Sequence, residues 1–447
     1  MSRPSTRVLL LAVAVIAVLG IGTGGALCKF KYDCGIGVGK SLNDAGLLHK
    51  LQGQDAKEPP AKLPPGFRER IVARGFTYPT DFAFLPGGDV LVSEKNGLVL
   101  RVTPGRPGHH IVLDLRRRVA TDNFRGIMTV AVSPTFARDR TIYVLYVPRA
   151  AGTPQTTTTV ARFSAFVLGA KGADPPHEHV LIGSVTAPTC SQLPPTADCL
   201  SSDLDHDGAQ VAFAKDGTLY LATGDGGGHD NRVEPSALSA QDPNALAGKI
   251  LHITRTGAGL PDNAWWNGNP RANRSKVWAV GLRNPFRVTL DPRTSVPIAG
   301  DVGRHAYEEI DAATRGANMG WPCWEGPEKL ALYAKTRMCI SMYRSPPRSL
   351  RAPLIAIAHP ESATIVGGTF APATFPPPYA GAYFFADWDR GWIRFVHIRA
   401  DDDAIVGRQR VFATGAPGPV ALHLGPGGDL YYLALNAGDL RRIEVER

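Results

Sequence analysis

The residues best equipped for chemistry crowd one polar loop. Asp203, Asp205, His206 and Asp207 lie within DLDHDGAQ, just before a short apolar run at 211–214. An imidazole titrates near neutral pH, so a histidine flanked by carboxylates at the mouth of a strand is placed to act as a general base. The same residues also suit a solvated loop whose aspartates bond to turn backbone. Further candidates follow along the chain. Asp225 sits in a Gly-Asp-Gly turn, and Arg283-Asn284 opens RNPFRVTLDP. Asp301, Glu308, Glu309 and Asp311 share GDVGRHAYEEID, and Arg390 lies in FADWDRGW. Arginine offers a planar fork to carboxylates or carbonyls, and it serves equally as a structural ion pair. Oxygen donors on a Gly-rich loop suit calcium, which makes Asp301 and Glu308, with Glu309 beside it, the candidate ligands. Exposed acids on a turn are the plainer alternative. Trp321 and Trp324 in GWPCWEG either line a sugar-sized pocket or pack between elements. No GxSxG elbow, HExxH motif or phosphate loop is present.

Strands must position these residues. A strand–turn–strand pattern recurs at 82–102, 130–147, 211–227, 288–303, more loosely at 374–396, and at 422–445. Each copy has a short apolar strand, a Pro/Gly/Asp turn, and a second strand ending in small or acidic residues. Copies at this spacing argue for radial repetition, an all-β six-bladed β-propeller. FRERIVA at 67–73 precedes the first copy and is free to complete the blade begun by the last. A β-sandwich or two smaller β domains are the alternatives. In a propeller, loops at one end of the channel meet, so polar residues far apart in sequence can converge.

The totals agree with an exported β protein. The chain has 447 residues, 48 Gly and 37 Pro, and a net charge of +9. The longest basic run, Arg116-Arg117-Arg118, has no aromatic interleaving, which argues against nucleic-acid binding. Arg3 and Arg7 precede an apolar run at 8–27, about the ~20 residues that span a bilayer. Residues 1–28 therefore read as a hydrophobic helix, a signal anchor or signal peptide, and 29–65 as a Pro-rich linker before a body at 66–447. Six cysteines are present; Cys190 with Cys199, and Cys323 with Cys339, read as local disulfides of an extracytoplasmic protein. Cys28 is left for Cys34 or for lipidation.

The segments HDGAQVAFAKDGTLYLATGDGG, AQDPNALAGKILHI, VWAVGLRNPFRVTLDP and GDVGRHAYEEIDAATRGANMGWPCWEG together resemble the glucose/sorbosone dehydrogenase family, the soluble sugar dehydrogenases that use pyrroloquinoline quinone (PQQ). IVGGTFAPATFPPPYAGAYFFADWDRGW is similar to the hedgehog-interacting-protein-like branch. The resemblance covers nearly the whole body and implies a six-bladed propeller. It also implies oxidation of an aldose at the anomeric carbon, with PQQ and calcium as cofactors, a sugar as substrate and a separate electron acceptor. His206 falls on the family's base and Arg283-Asn284 on its quinone contacts. Asp225 falls on its GD turn and Arg390 on a basic cofactor contact. A non-catalytic propeller that binds a glycan or a protein is the other class of reading. A calcium-dependent lactonase-type hydrolase is the third.

Overall fold

The structure, a computed structural model, describes residues 58–447 apart from 123, 150–159, 170–176, 186–188, 203–205, 209, 229–231, 402 and 447. The apolar N-terminal run, Cys28 and Cys34 lie outside these residues. Among the described residues no helix is long and apolar enough to cross a membrane.

Six antiparallel sheets follow one another along the chain. Their innermost strands are Pro79–Phe84, Ile127–Val132, Val211–Phe213, Pro285–Leu290, Ile365–Phe370 and Pro419–Leu424. Each packs beside the next and the last packs beside the first, so the sheets close into a six-bladed β-propeller. The second strand of a blade is covered on both faces by neighbouring blades. Leu219–Thr223, Tyr383–Asp387 and Leu430–Ala434 are accordingly buried along their whole length. Both faces are sealed, so these strands read as continuous apolar runs without alternation.

The ring is closed as the sequence suggests. Phe67–Arg74 pairs with Asp439–Val445, from Phe67 opposite Val445 to Arg74 opposite Asp439, making the first strand the outer edge of the last blade. A buried Arg441 reaches across this seam to Glu69 at 2.9 Å and also pairs with Asp439 of its own strand at 3.2 Å. Residues expected in the linker join it. Ala61 is buried, and Lys62 exchanges backbone hydrogen bonds with Thr414.

The fifth copy differs from expectation. The pattern at 374–396 covers the second and third strands of its blade, whereas the inner strand is Ile365–Phe370, IVGGTF. Two glycines mask it, because glycine lowers strand propensity. Gly367 and Gly368 are required by close approach. A Cβ on Gly368 would lie 1.8 Å from the Phe384 carbonyl oxygen.

Disulfides join Cys190 to Cys199 and Cys323 to Cys339. The second staples an insert between the third and fourth strands of blade 4, which carries helix α1, Arg337–Arg344. Thr336 caps α1 by accepting from the Cys339 amide at 3.3 Å. Reduction should free this insert before the ring opens, since small satellite units unfold at lower cost than the core. Limited trypsin digestion under reducing conditions should cut first at Lys335 or Arg337, and a chain that stays intact would show that packing alone holds the insert.

Candidate functional site

His206 lies in the loop that enters the inner strand of blade 3. That loop is pressed against the end of Leu219–Thr223: the Gly226 amide donates to the His206 carbonyl at 3.0 Å. A Cβ on Gly224 would lie 2.2 Å from that same oxygen, so only glycine fits there. The imidazole is buried, and its Nδ1 meets Asp225 Oδ1 at 2.7 Å. The carboxylate places the ring proton on Nδ1 and the accepting lone pair on Nε2.

Asp225 serves several donors at once. Oδ1 also accepts from the Gly227 amide at 2.8 Å, and Oδ2 accepts from Trp321 Nε1 at 2.8 Å. Its own amide donates to the Arg283 carbonyl at 2.7 Å. Burial alone would raise its pKa; the charges of His206 and Arg283 and these hydrogen bonds bring it below the ordinary carboxylate value.

Arg283 is buried beside them, its guanidinium 5.5 Å from the Trp321 ring centre. Nη1 donates to the carbonyls of Val302 at 2.8 Å and Gly303 at 2.6 Å. Nε and Nη2 make no hydrogen bond among the described residues. A buried cation with two such N–H groups is a ready site for an anionic or quinone oxygen.

Asp301 accepts from the Arg283 amide at 2.9 Å and the Asn284 amide at 2.6 Å, fixing the turn that carries both side chains. It also belongs to a cluster with Glu309 and Asp311, whose ligand atoms all lie within 4.8 Å of one another. Neither Asp311 oxygen has a hydrogen-bond partner among the described residues. Burial pushes Asp301 up to about 7, and burial with mutual repulsion pushes Glu309 and Asp311 well above the usual range. Three buried carboxyls, of which Asp311 has both oxygens without a hydrogen bond among the described residues, fit a hard divalent cation such as calcium.

Glu308 is not part of this cluster. Successive residues of Tyr307–Ala312 face opposite sides of the sheet, so Glu309 and Asp311 turn toward Asp301 and Glu308 turns away. Glu308 instead pairs with His359 at 2.8 Å and accepts from the Ile365 amide at 2.9 Å, tying blade 4 to blade 5. Arg390 is exposed in an outer turn, 3.8 Å from Asp389, with no contact to His206, Asp225 or Arg283 among the described residues. Asp203 and Asp205 lie outside the described residues.

Two partners escape sequence reasoning. Glu325 Oε1 accepts from four consecutive amides, Arg304 to Tyr307, at 2.7 to 3.2 Å, and so folds the loop beside Arg283. Asp81 holds Thr129 at 2.5 Å and His423 at 3.1 Å, linking the inner strands of three blades. The acidic residue closing GWPCWE was the one signal for the first; the second has none, because its members are 342 residues apart.

The carboxyl cluster sets a stability test. Its folded pKa values are raised, so its favourable contribution is whole below the unfolded value near pH 4 and is lost as pH rises through the folded values. Between about pH 5 and 8 the chelated protein should lose melting temperature as pH rises, and calcium should flatten that slope. Asp311→Asn should raise the melting temperature in chelator and remove most of the calcium effect, read by scanning calorimetry. An unchanged calcium response would exclude Asp311 as a ligand.

Comparison with known proteins agrees with this architecture. The glucose/sorbosone dehydrogenase family model matches residues 76–442. The chain is 29% identical over 316 residues to HIPL2 protein of Arabidopsis thaliana, covering 62% of this chain and 44% of that protein. It therefore spans less than half the length of that relative. The PQQ-bound aldose sugar dehydrogenase from Streptomyces coelicolor superposes with a TM-score of 0.60 at 20% identity, covering 86% of this chain and 100% of that one. A calcium structure of a Trichoderma reesei family AA12 carbohydrate-active enzyme superposes with a TM-score of 0.58 at 13% identity, covering 87% and 98%. With a family model matched along most of the propeller, the chain belongs to the glucose/sorbosone dehydrogenase family.

Proposed function

We propose that the protein is an extracytoplasmic sugar dehydrogenase that oxidises an aldose at its anomeric carbon, using PQQ and calcium. The observation that carries this reading is the buried His206–Asp225–Trp321 chain set against Arg283. His206 accepts the proton of the anomeric hydroxyl at Nε2, and the low-pKa Asp225 stabilises the imidazolium that results. Arg283 presents two buried N–H groups to an electron-rich oxygen. Asn284 is held beside it through the Asp301 carboxylate. PQQ, when bound, would supply the acceptor for the hydride of the sugar carbon, with a separate electron acceptor as the further partner. Calcium fits Asp301, Glu309 and Asp311. Nothing in the geometry brings Arg390 into this scheme.

Purified protein titrated with PQQ and calcium should gain the quinone absorbance and reduce a dye with aldoses. His206→Ala should keep cofactor binding and lose roughly 10²–10⁴-fold in turnover, the usual range for a general base. Protein that takes up no PQQ would favour the non-catalytic binding propeller. Trp321→Phe keeps an aromatic ring beside Arg283 and removes only the donor to Asp225. The carboxylate then holds more charge toward His206, so the acid limb of the pH–rate profile should move upward. An unshifted limb would mean that Trp321 only packs.

A further inference from the structure

Blade 4 does not need residues 327–351 to complete its sheet. They fold into a small body of their own, where Leu330, Met338, Met342 and Tyr343 pack on Trp321 and the Cys323–Cys339 bridge. Its charge is one-sided. Residues 327–351 contain Lys329, Lys335, Arg337, Arg344, Arg348 and Arg351 against one acid, Glu328, a net +5 in a chain whose total is +9. All six are exposed, and none has a carboxylate partner among the described residues. Some exposed arginines elsewhere are paired, as Arg101 is with Asp89 and Arg116 with Asp114, both at 2.6 Å. Others, such as Arg106, Arg117 and Arg138, stand singly among the described residues, and what sets the insert apart is that six cations share one small body. The outward face of α1 carries Arg337, Ile340, Ser341 and Arg344, with the two cations two turns or ~10 Å apart. Beside α1 runs a cleft of about 420 Å³, lined on one wall by Met338, Ser341 and Met342 and on the other by Leu238, Gln241 and Asp242.

We propose that this insert is a docking surface for an acidic polysaccharide, a chain of sugars bearing carboxylate or sulfate groups, and that it leads such a chain to His206. The proposal rests on the sugar-oxidising reading above. Unpaired exposed cations attract a polyanion over about a Debye length, ~8–10 Å in physiological salt. The insert is fixed to the catalytic group, through Trp321 on Asp225 and through the Tyr333 hydroxyl, which accepts from the Glu234 amide at 3.4 Å. Amide and hydroxyl groups beside methionines suit a sugar ring in the cleft. A nucleic acid is disfavoured because Trp324 and Tyr343 pack edge to face at 4.9 Å instead of standing open as stacking platforms. A membrane is disfavoured because Ile340 is the lone large apolar residue on the outward face of α1.

The test measures binding of the full chain, without PQQ, to polygalacturonate, dextran sulfate and neutral dextran. Phosphatidylserine vesicles and single-stranded DNA serve as competing anions. The triple variant Arg337→Gln, Arg344→Gln, Arg348→Gln is compared with Arg106→Gln, Arg117→Gln, Arg138→Gln, three exposed cations on other blades. Both variants must keep the wild-type melting temperature. Wild type should bind one or both acidic polysaccharides and lose them at about 1 M salt, where the Debye length is ~3 Å. The two polymers separate carboxylate from sulfate recognition. The first variant should bind roughly fivefold more weakly per cation removed, about a hundredfold in all, while the second stays near wild type. Equal binding to neutral dextran, or undiminished binding by the first variant, would overturn the proposal. Tighter binding to vesicles or DNA would overturn the glycan as occupant. If acidic polysaccharide binds as expected but is not oxidised with PQQ and calcium while small aldoses are, its delivery to His206 is overturned and the docking surface stands; if no aldose is oxidised either, the redox reading falls.

Discussion

Asp225 is the residue on which the site depends. One buried carboxylate receives His206, Trp321 and the Gly227 amide, while its own amide reaches Arg283. Those partners come from the loop entering blade 3, the insert of blade 4, and the turn between the two blades. An unpaired carboxylate at that depth would cost several kcal/mol, so the three segments cannot separate without exposing it to that penalty. The geometry of the candidate site and the packing of the blades are therefore enforced by the same hydrogen bonds. A loss at any one partner is felt by the other two.

The same device recurs at the ends of second strands in other blades. Glu94 accepts from the Thr77 amide at 2.6 Å, and Asp387 accepts from the Ala363 and Thr364 amides at 2.7 and 3.0 Å. Asp301 does this for Arg283 and Asn284. In each case an acid at the end of one strand fixes the chain entering the inner strand of the same blade. Acidic strand ends visible in the sequence are thus capping groups first. Only where the capped turn carries Arg283, and where Glu309 and Asp311 stand alongside, does the cap become part of a site.

This explains what was legible in the sequence. The propeller and its closing strand were readable because strand runs and turns are local signals. The fifth inner strand was not, because Gly367 and Gly368 answer to neighbouring backbone and carry no strand signal. His206, Asp225 and Arg283 were identifiable as residues, yet their meeting is set by blade packing. That Glu309 and Asp311, and not Glu308, face Asp301 is not legible in the sequence, because strand facing depends on register, and a one-residue difference reverses it. Register is fixed here by Asp301 standing opposite Glu309. Arg390 looked equivalent to a site residue from its position at a strand end, but its turn lies outside the buried group.

The placement of charge carries the last step. Arg283 lies close to Asp301, yet Asp301 spends its oxygens on two backbone amides, and the guanidinium spends one nitrogen on two carbonyls. A direct ion pair would have quenched both. Backbone dipoles instead hold each group in place while part of its hydrogen-bonding capacity stays unspent. The result is two adjacent buried sites of opposite preference, N–H groups for an anionic oxygen and carboxyls for a cation. Such a pairing is costly for the bare chain, as the raised carboxyl pKa values indicate. On the function proposed above, a cation and an oxygen-rich group entering together would offset that cost. Asp311, buried with neither oxygen hydrogen-bonded among the described residues, is where that cost is concentrated.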